Sequence, residues 1–203
     1  MSDVIFISDF YRNQILGGAE SNDDNLISYL KTICSVECLK SSEVKISDLV
    51  DAENIIVSNF VLLSEEVKDY MIANKKYIIY EHDHKYVKTR DPSKYVNFVA
   101  PKEDLINVAF YTKAAHVIVL SQICKDVLLR NIPETKVHSI GCSLWSMENL
   151  NYIASLIENP KRGFCIMKSD NPTKNYINTI KFCEEKGIEP SHISNTSHTE
   201  FLS

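Results

Sequence analysis

Three short stretches hold residues whose types and spacing could do chemistry. Gly17-Gly18-Ala19-Glu20 follows a β-branched run, Val4 to Ser8, and a polar loop, Asp9 to Leu16, and it opens a helical pattern. A strand, a glycine-bearing loop and a helix start in that order let backbone approach a phosphate, with bare N–H groups facing the anion. Glu81-His82-Asp83-His84 closes a buried run, Tyr77 to Tyr80. Ligands of open parallel sheets bind at strand C-termini, so at least one of the two histidines is expected to face a cleft. Alternation along a strand places both imidazoles on one face and Glu81 with Asp83 on the other; as a metal site this supplies two ligands and no evident third. Lys85, Lys88 and Arg90 come directly afterwards, as cations for an anionic acceptor or as an exposed loop. Lys168 and Lys174 stand six positions apart after another strand-like run.

The elements that must position these residues alternate. Helical spacing of Leu26, Ile27, Leu30 and Ile33 predicts a helix from Ser21 to Ile33, and Ser35 to Lys40 reads as a second strand. Ser42 to Ala52 is a short turn-and-helix region, and Asn54 to Ser58 a strand buried on both faces. Ser64 caps a helix that turns Val67, Tyr70 and Met71 inward. A long loop with one helical turn spans Lys85 to Pro101, followed by a helix from Asp104 to Lys113. Ala115 to Leu120 is a strand, Ser121 caps a helix to Arg130, and Lys136 to Ile140 is a short strand. Strands alternating with helices in short apolar runs predict an α/β fold, a Rossmann-like doubly wound, mostly parallel sheet. An amphipathic helix, Ser146 to Glu158, leads to Asn159-Pro160-Lys161-Arg162-Gly163, whose Pro, Gly and charge mark a boundary. A strand (Phe164 to Met167), a loop, a helix through Lys186 closed by Gly187, and a strand (His192 to Ser194) then begin a second α/β unit. Such a unit of about forty residues buries too little surface to stand alone.

Composition narrows the classes. Apolar residues at 44% and charged ones at 24% are those of a globular chain. A net charge of −5 supplies no electrostatic footprint for nucleic acid, so none is expected as a partner. The six cysteines include no C-x-x-C pair, and most are expected to fill apolar strand or helix positions as free thiols. Met1-Ser2-Asp3 leads into a run too short for a signal peptide, and no stretch approaches the ~18 apolar residues of a membrane span. The expectation is a cytoplasmic protein without a transmembrane segment.

Taken in order, GGAE after the first strand, His82-Asp83 at the end of a middle strand, and AAHVIVLSQICKDVLLRNIPETKVHSIG (Ala114 to Gly141) resemble glycosyltransferases of the GT-B fold. They are most similar to the retaining family 4 type. In that family a second domain opens with a strand, a basic residue and another basic residue six positions on, as in Lys168-Ser-Asp-Asn-Pro-Thr-Lys174 here. The resemblance implies an acceptor-side domain at residues 1–145, a connecting helix and linker at 146–162, and the beginning of a donor-binding domain at 163–203. It implies transfer of a sugar from a nucleotide-diphosphate-sugar to an acceptor, with Gly17, Gly18, Lys168 and Lys174 on the donor phosphates. His82 would lie beside the transferring sugar as the catalytic residue, and Glu20, Asp83, His84 and Arg90 on the acceptor or sugar side.

Fixed cations and N–H donors on a departing diphosphate suit that chemistry. No Asp-x-Asp is present, so neither metal nor cofactor is expected, the nucleotide-sugar being a substrate. Lys168 departs from the family's usual Arg and offers a point charge instead of a bidentate fork. The family's later pair of glutamates has no counterpart before Ser203, so only the start of the donor domain is expected in this chain. Two alternatives are carried: a non-catalytic sugar- or nucleotide-binding module, and a metal-dependent hydrolase on His82-Asp83-His84. Unpaired edges of an unfinished second sheet favour a homodimer.

Overall fold

Six short runs pair, each parallel to its neighbours, into one sheet in the order Val36–Lys40, Val4–Ser8, Ile55–Val57, Tyr77–Glu81, His116–Val119, Val137–Ser139. The computed structural model describes residues 2–156, 163–170 and 174–194. In chain order the elements are β1 (Val4–Ser8), α1 (Gly18–Leu30), β2 (Val36–Lys40), α2 (Ile46–Leu49), β3 (Ile55–Val57), α3 (Glu65–Asn74) and β4 (Tyr77–Glu81). There follow α4 (Val108–Lys113), β5 (His116–Val119), α5 (Gln122–Asn131) and β6 (Val137–Ser139). The fold class is the expected one: a Rossmann-like α/β sheet flanked by helices.

The strand order places β1 between β2 and β3, so the chain reverses its direction of travel across the sheet at β1 and β3. In open α/β sheets that switch point, at the C-terminal ends of the strands, is where a crevice forms. All five residues of β1 are buried, as a parallel strand covered on both faces requires. Ile7, Leu49, Val57, Met71, Ile79 and Val117 are fully buried and belong to one continuous core.

Local chemistry sets the helix starts. The hydroxyl of Ser64 accepts the Val67 N–H at 3.3 Å, and that of Ser121 accepts the Cys124 N–H at 3.2 Å. The helix expected from Asp104 begins instead at Val108. Asn107 sits in the left-handed region (φ 54°) and its amide donates to the Lys85 carbonyl at 2.8 Å, which separates α4 from the 3₁₀ turn Lys102–Asp104. The stretch expected to hold one helical turn has two 3₁₀ turns, Pro92–Lys94 and Val96–Phe98. Cysteines depart from expectation as well: Cys38, Cys142 and Cys165 are exposed and only Cys183 is buried.

The chain divides into two compact units, Met1–Trp145 and Ser146–Ser203. Within the second, α6 (Met147–Leu156), β7 (Cys165–Met167), α7 (Tyr176–Glu185) and β8 (Ser191–Ile193) are described, β7 and β8 forming a parallel pair. Gly187 (φ 64°) closes α7: its N–H reaches the Glu184 carbonyl at 3.1 Å and that of Ile188 the Cys183 carbonyl at 2.8 Å. A left-handed residue is needed there, which glycine supplies without a Cβ penalty. Among the described residues no helix is long and apolar enough to cross a membrane.

Candidate functional site

Two serines end neighbouring strands, Ser8 on β1 and Ser58 just past β3, and both hydroxyls turn to one carboxylate. Asp23, on α1, accepts from Ser8 Oγ at 3.1 Å and from Ser58 Oγ at 2.7 Å. Nε2 of His82, one residue past β4, lies 3.0 Å from Asp23 Oδ1. The carboxylate is 1% exposed and the imidazole 4%. A lone carboxylate buried so deeply costs several kcal/mol, and three donors are what make it tolerable. With Nε2–H assigned to the carboxylate by this network, the Nδ1 of a neutral imidazole is left as an acceptor.

The surroundings are polar and buried. Tyr80 meets the His82 ring edge-on, centroids 4.6 Å apart. Its hydroxyl and Asn59 Oδ1 are buried with no hydrogen-bond partner among the described residues. Burial first, and the Asp23 charge second, push the Tyr80 phenol well above its usual range, so it stays protonated. Asp9 fixes the loop after β3, accepting from the Val61 and Leu62 N–H groups at 2.9 and 3.0 Å and from the Ser41 hydroxyl.

The glycine loop opens α1 beside this cluster. Gly17 is an extended N-cap with no side-chain cap, and the first helical bond runs from the Ser21 N–H to the Gly17 carbonyl at 3.0 Å. The N–H groups of Gly18, Ala19 and Glu20 therefore lack helical acceptors. A Cβ on Gly18 would meet nothing within 4 Å, so that side of the helix start is uncrowded. A Cβ on Gly17 would collide with the Glu20 carboxylate, which folds back over the glycine and is itself buried. The helix start thus carries a resident acid. Asn22 and Asn25 brace the helix on Leu144, through its N–H at 2.7 Å and its carbonyl at 2.8 Å.

The Glu81-His82-Asp83-His84 stretch does not keep strand alternation. β4 stops at Glu81 and His84 has φ 55°, so the two imidazoles take different partners. His82 turns to Asp23, while His84 Nδ1 meets the Tyr86 hydroxyl at 2.9 Å. A hydrogen bond from His84, working against burial, holds the Cys124 thiol below its ordinary range. No group of three or more possible metal ligands occurs among the described residues.

Glu81 is fully enclosed: it accepts from the Tyr111 hydroxyl, from the Asp83 N–H at 2.7 Å and from Lys85 Nζ at 3.2 Å. Burial alone would raise its carboxyl; the Lys85 charge and these donors overcome it and hold the group at about 2. Lys85 is consequently a core cation, removed from the loop set read as contacts for an anionic acceptor. Arg90 remains half-exposed, its guanidinium 3.7 Å from Asp83 Oδ2.

Lys168 and Lys174 are exposed residues of the second unit, and positions 171–173 between them lie outside the described residues. Asp23, Ser8 and Ser58 were missed by the sequence reading. The apolar stripe of α1, extended from Ile27 back by one turn, runs through Asp23 and Glu20. That extension was the available signal.

No family model matches the chain, and no curated protein matches it. Among solved structures, a sugar-binding transcriptional regulator of the LacI family from Enterococcus faecalis is similar over 98% of this chain and 77% of its own, with 9% identity and a TM-score of 0.31.

Proposed function

We propose that the chain is part of a glycosyltransferase that moves a sugar from a nucleotide-diphosphate-sugar to an acceptor hydroxyl, without a metal and with retention. The observation that supports this most is the buried Asp23–His82 pair at the sheet's switch point. Asp23 fixes the ring, and Nδ1 of His82 takes a hydrogen bond from a sugar hydroxyl in a site where water competes poorly. The open N–H groups at the start of α1 face charge that develops on the departing diphosphate. Lys168 and Lys174 are assigned to that diphosphate on the sequence motif alone.

A second reading rests on Glu20. Its carboxylate, seated against Gly17, places negative charge where a phosphate would otherwise bind. That favours a neutral sugar at the helix start, and with it a module that binds and does not turn over. Titration with UDP-, GDP- and ADP-glucose, the free nucleoside diphosphates and glucose separates the two. Transfer requires release of nucleoside diphosphate that His82→Gln abolishes. Binding alone gives a thermal shift with glucose and no release. A chain indifferent to the whole panel sinks both readings.

A further inference from the structure

At the opposite end of the sheet, the starts of β5 and β6 carry a second cluster of ionisable residues that plays no part in the Asp23–His82 site. His116 opens β5, and His138 lies opposite Ile118 in the parallel register, so both imidazoles stand on one face. His116 Nδ1 and His138 Nε2 are 3.0 Å apart. One proton serves that contact, and each ring keeps its other nitrogen for a ligand. Lys125 of α5 and Lys136, just before β6, complete the ring of charge around an open groove of about 440 Å³. Leu129 and Val137 supply its apolar lining.

Three observations give this groove a sign. Every ionisable residue that lines it is a base, in a chain whose net charge is −5. Neither lysine forms an ion pair with any described residue; the paired lysines are Lys40, Lys68, Lys85 and Lys88, all away from this groove. Thr135, on the same wall, is 5% exposed, and its hydroxyl has no hydrogen-bond partner among the described residues. Buried hydroxyls are ordinarily paired, so the groove wall holds one unmet polar group beneath its surface. Two ammoniums repel a metal cation that the histidine pair would otherwise attract. They suit a tetrahedral dianion, whose oxygens accept several charge-assisted hydrogen bonds at once.

We propose that this groove is an anion site for a phosphoryl group, either inorganic phosphate or the phosphate of a small metabolite ester. The proposal is independent of the glycosyl-transfer reading, because the strands separate the groove from His82.

The test is a titration of the ¹⁵N-labelled chain with inorganic phosphate and, separately, glucose 1-phosphate, read on the histidine side-chain resonances. Potassium chloride at matched ionic strength is the control. Saturable shifts at His116 and His138, with His82 unmoved, are expected. A Lys125→Gln/Lys136→Gln double variant should bind at least tenfold more weakly. Tighter binding of inorganic phosphate identifies the free anion as the ligand, and tighter binding of the ester a metabolite. Shifts that never saturate, that chloride reproduces, or that survive in the double variant overturn the site. His138→Gln, on the exposed edge strand, gives the same reading if the double variant fails to fold.

Discussion

Nε2 of His82 stands 3.0 Å from Oδ1 of Asp23 although 59 residues separate them in the chain. The contact joins α1 to the end of β4, and the hydroxyls of Ser8 and Ser58 tie the same carboxylate to β1 and β3. One buried acid thus fixes an imidazole against three neighbouring strands. Asp23→Asn keeps the shape and one acceptor oxygen, but its amide faces the Ser8 hydroxyl and no longer enforces one tautomer. Stability should fall by about 1–2 kcal/mol, while turnover under the transfer reading should fall by roughly 10²-fold or more. Urea unfolding and steady-state rates measure the two separately. A rate loss no larger than the loss of folded protein would leave Asp23 a structural residue only.

Glu81 makes the fold sensitive to acid. Its carboxyl is held at about 2 against an ordinary 4.5. A depressed folded-state value means that the stabilisation is fully present above the unfolded value, and is lost as pH falls from about 4.5 towards 2. The difference is worth roughly 3 kcal/mol at neutral pH. Glu81→Gln strands the Lys85 ammonium in the core and should cost on the order of 3–5 kcal/mol at pH 7. The gap between wild type and variant should narrow steadily in urea melts taken at lower pH. Equal gaps at pH 7 and pH 3 would refute the assignment.

The sheet was legible because parallel strands covered on both faces read as unbroken apolar runs; Val4–Ser8 emerges at its predicted bounds. The site was legible only where a motif marks a strand end. His82 was singled out that way, but Asp23, which it contacts, was not. Asp23 lies within Ser21-Asn22-Asp23-Asp24-Asn25, and a search for apolar periodicity discards such a run as a solvated face. In the fold the first two turns of α1 bury Glu20, Asn22 and Asp23, and expected core residue Ile33 is exposed. Strand alternation likewise could not foresee His84, since β4 ends at Glu81 and His84 itself turns into the left-handed region (φ 55°).

Phe60 offers a test of how the core carries its cations. The ring is fully buried, with Lys85 Nζ 5.4 Å and Lys68 Nζ 5.8 Å from its centroid. It also leans on Phe110 and Tyr111, centroids 5.1 and 5.9 Å away. Phe60→Ala should cost about 3–5 kcal/mol through the cavity it leaves. Phe60→Leu retains most of the apolar volume and removes the π face from both ammoniums, so a loss of about 1–2 kcal/mol is expected. Equilibrium unfolding of both variants separates packing from the cation–π contribution: no loss in Phe60→Leu would show that packing carries everything, and equal losses that the ring face does.

The two glycines of the first loop should respond differently to alanine. Gly18 is the first residue of α1 and has open space where a Cβ would go. Gly18→Ala should therefore leave stability unchanged or raise it by up to about 1 kcal/mol. Gly17 has an extended backbone that alanine can adopt (φ −109°, ψ 166°), but the new methyl displaces the Glu20 carboxylate. A long side chain can move aside, so Gly17→Ala should cost less than about 1 kcal/mol. Ligand binding distinguishes what the loop is for. If the helix start takes a phosphate, Glu20→Gln removes a competing charge and should tighten nucleoside diphosphate binding, and Gly18→Ala should weaken it by adding bulk at the helix start. If it takes a neutral sugar, Glu20 is an acceptor for hydroxyls, and Glu20→Gln should weaken glucose binding and leave the nucleoside diphosphate unaffected. Calorimetric titration of both variants with UDP and with glucose decides between them, and no change with either ligand would remove the loop from the site.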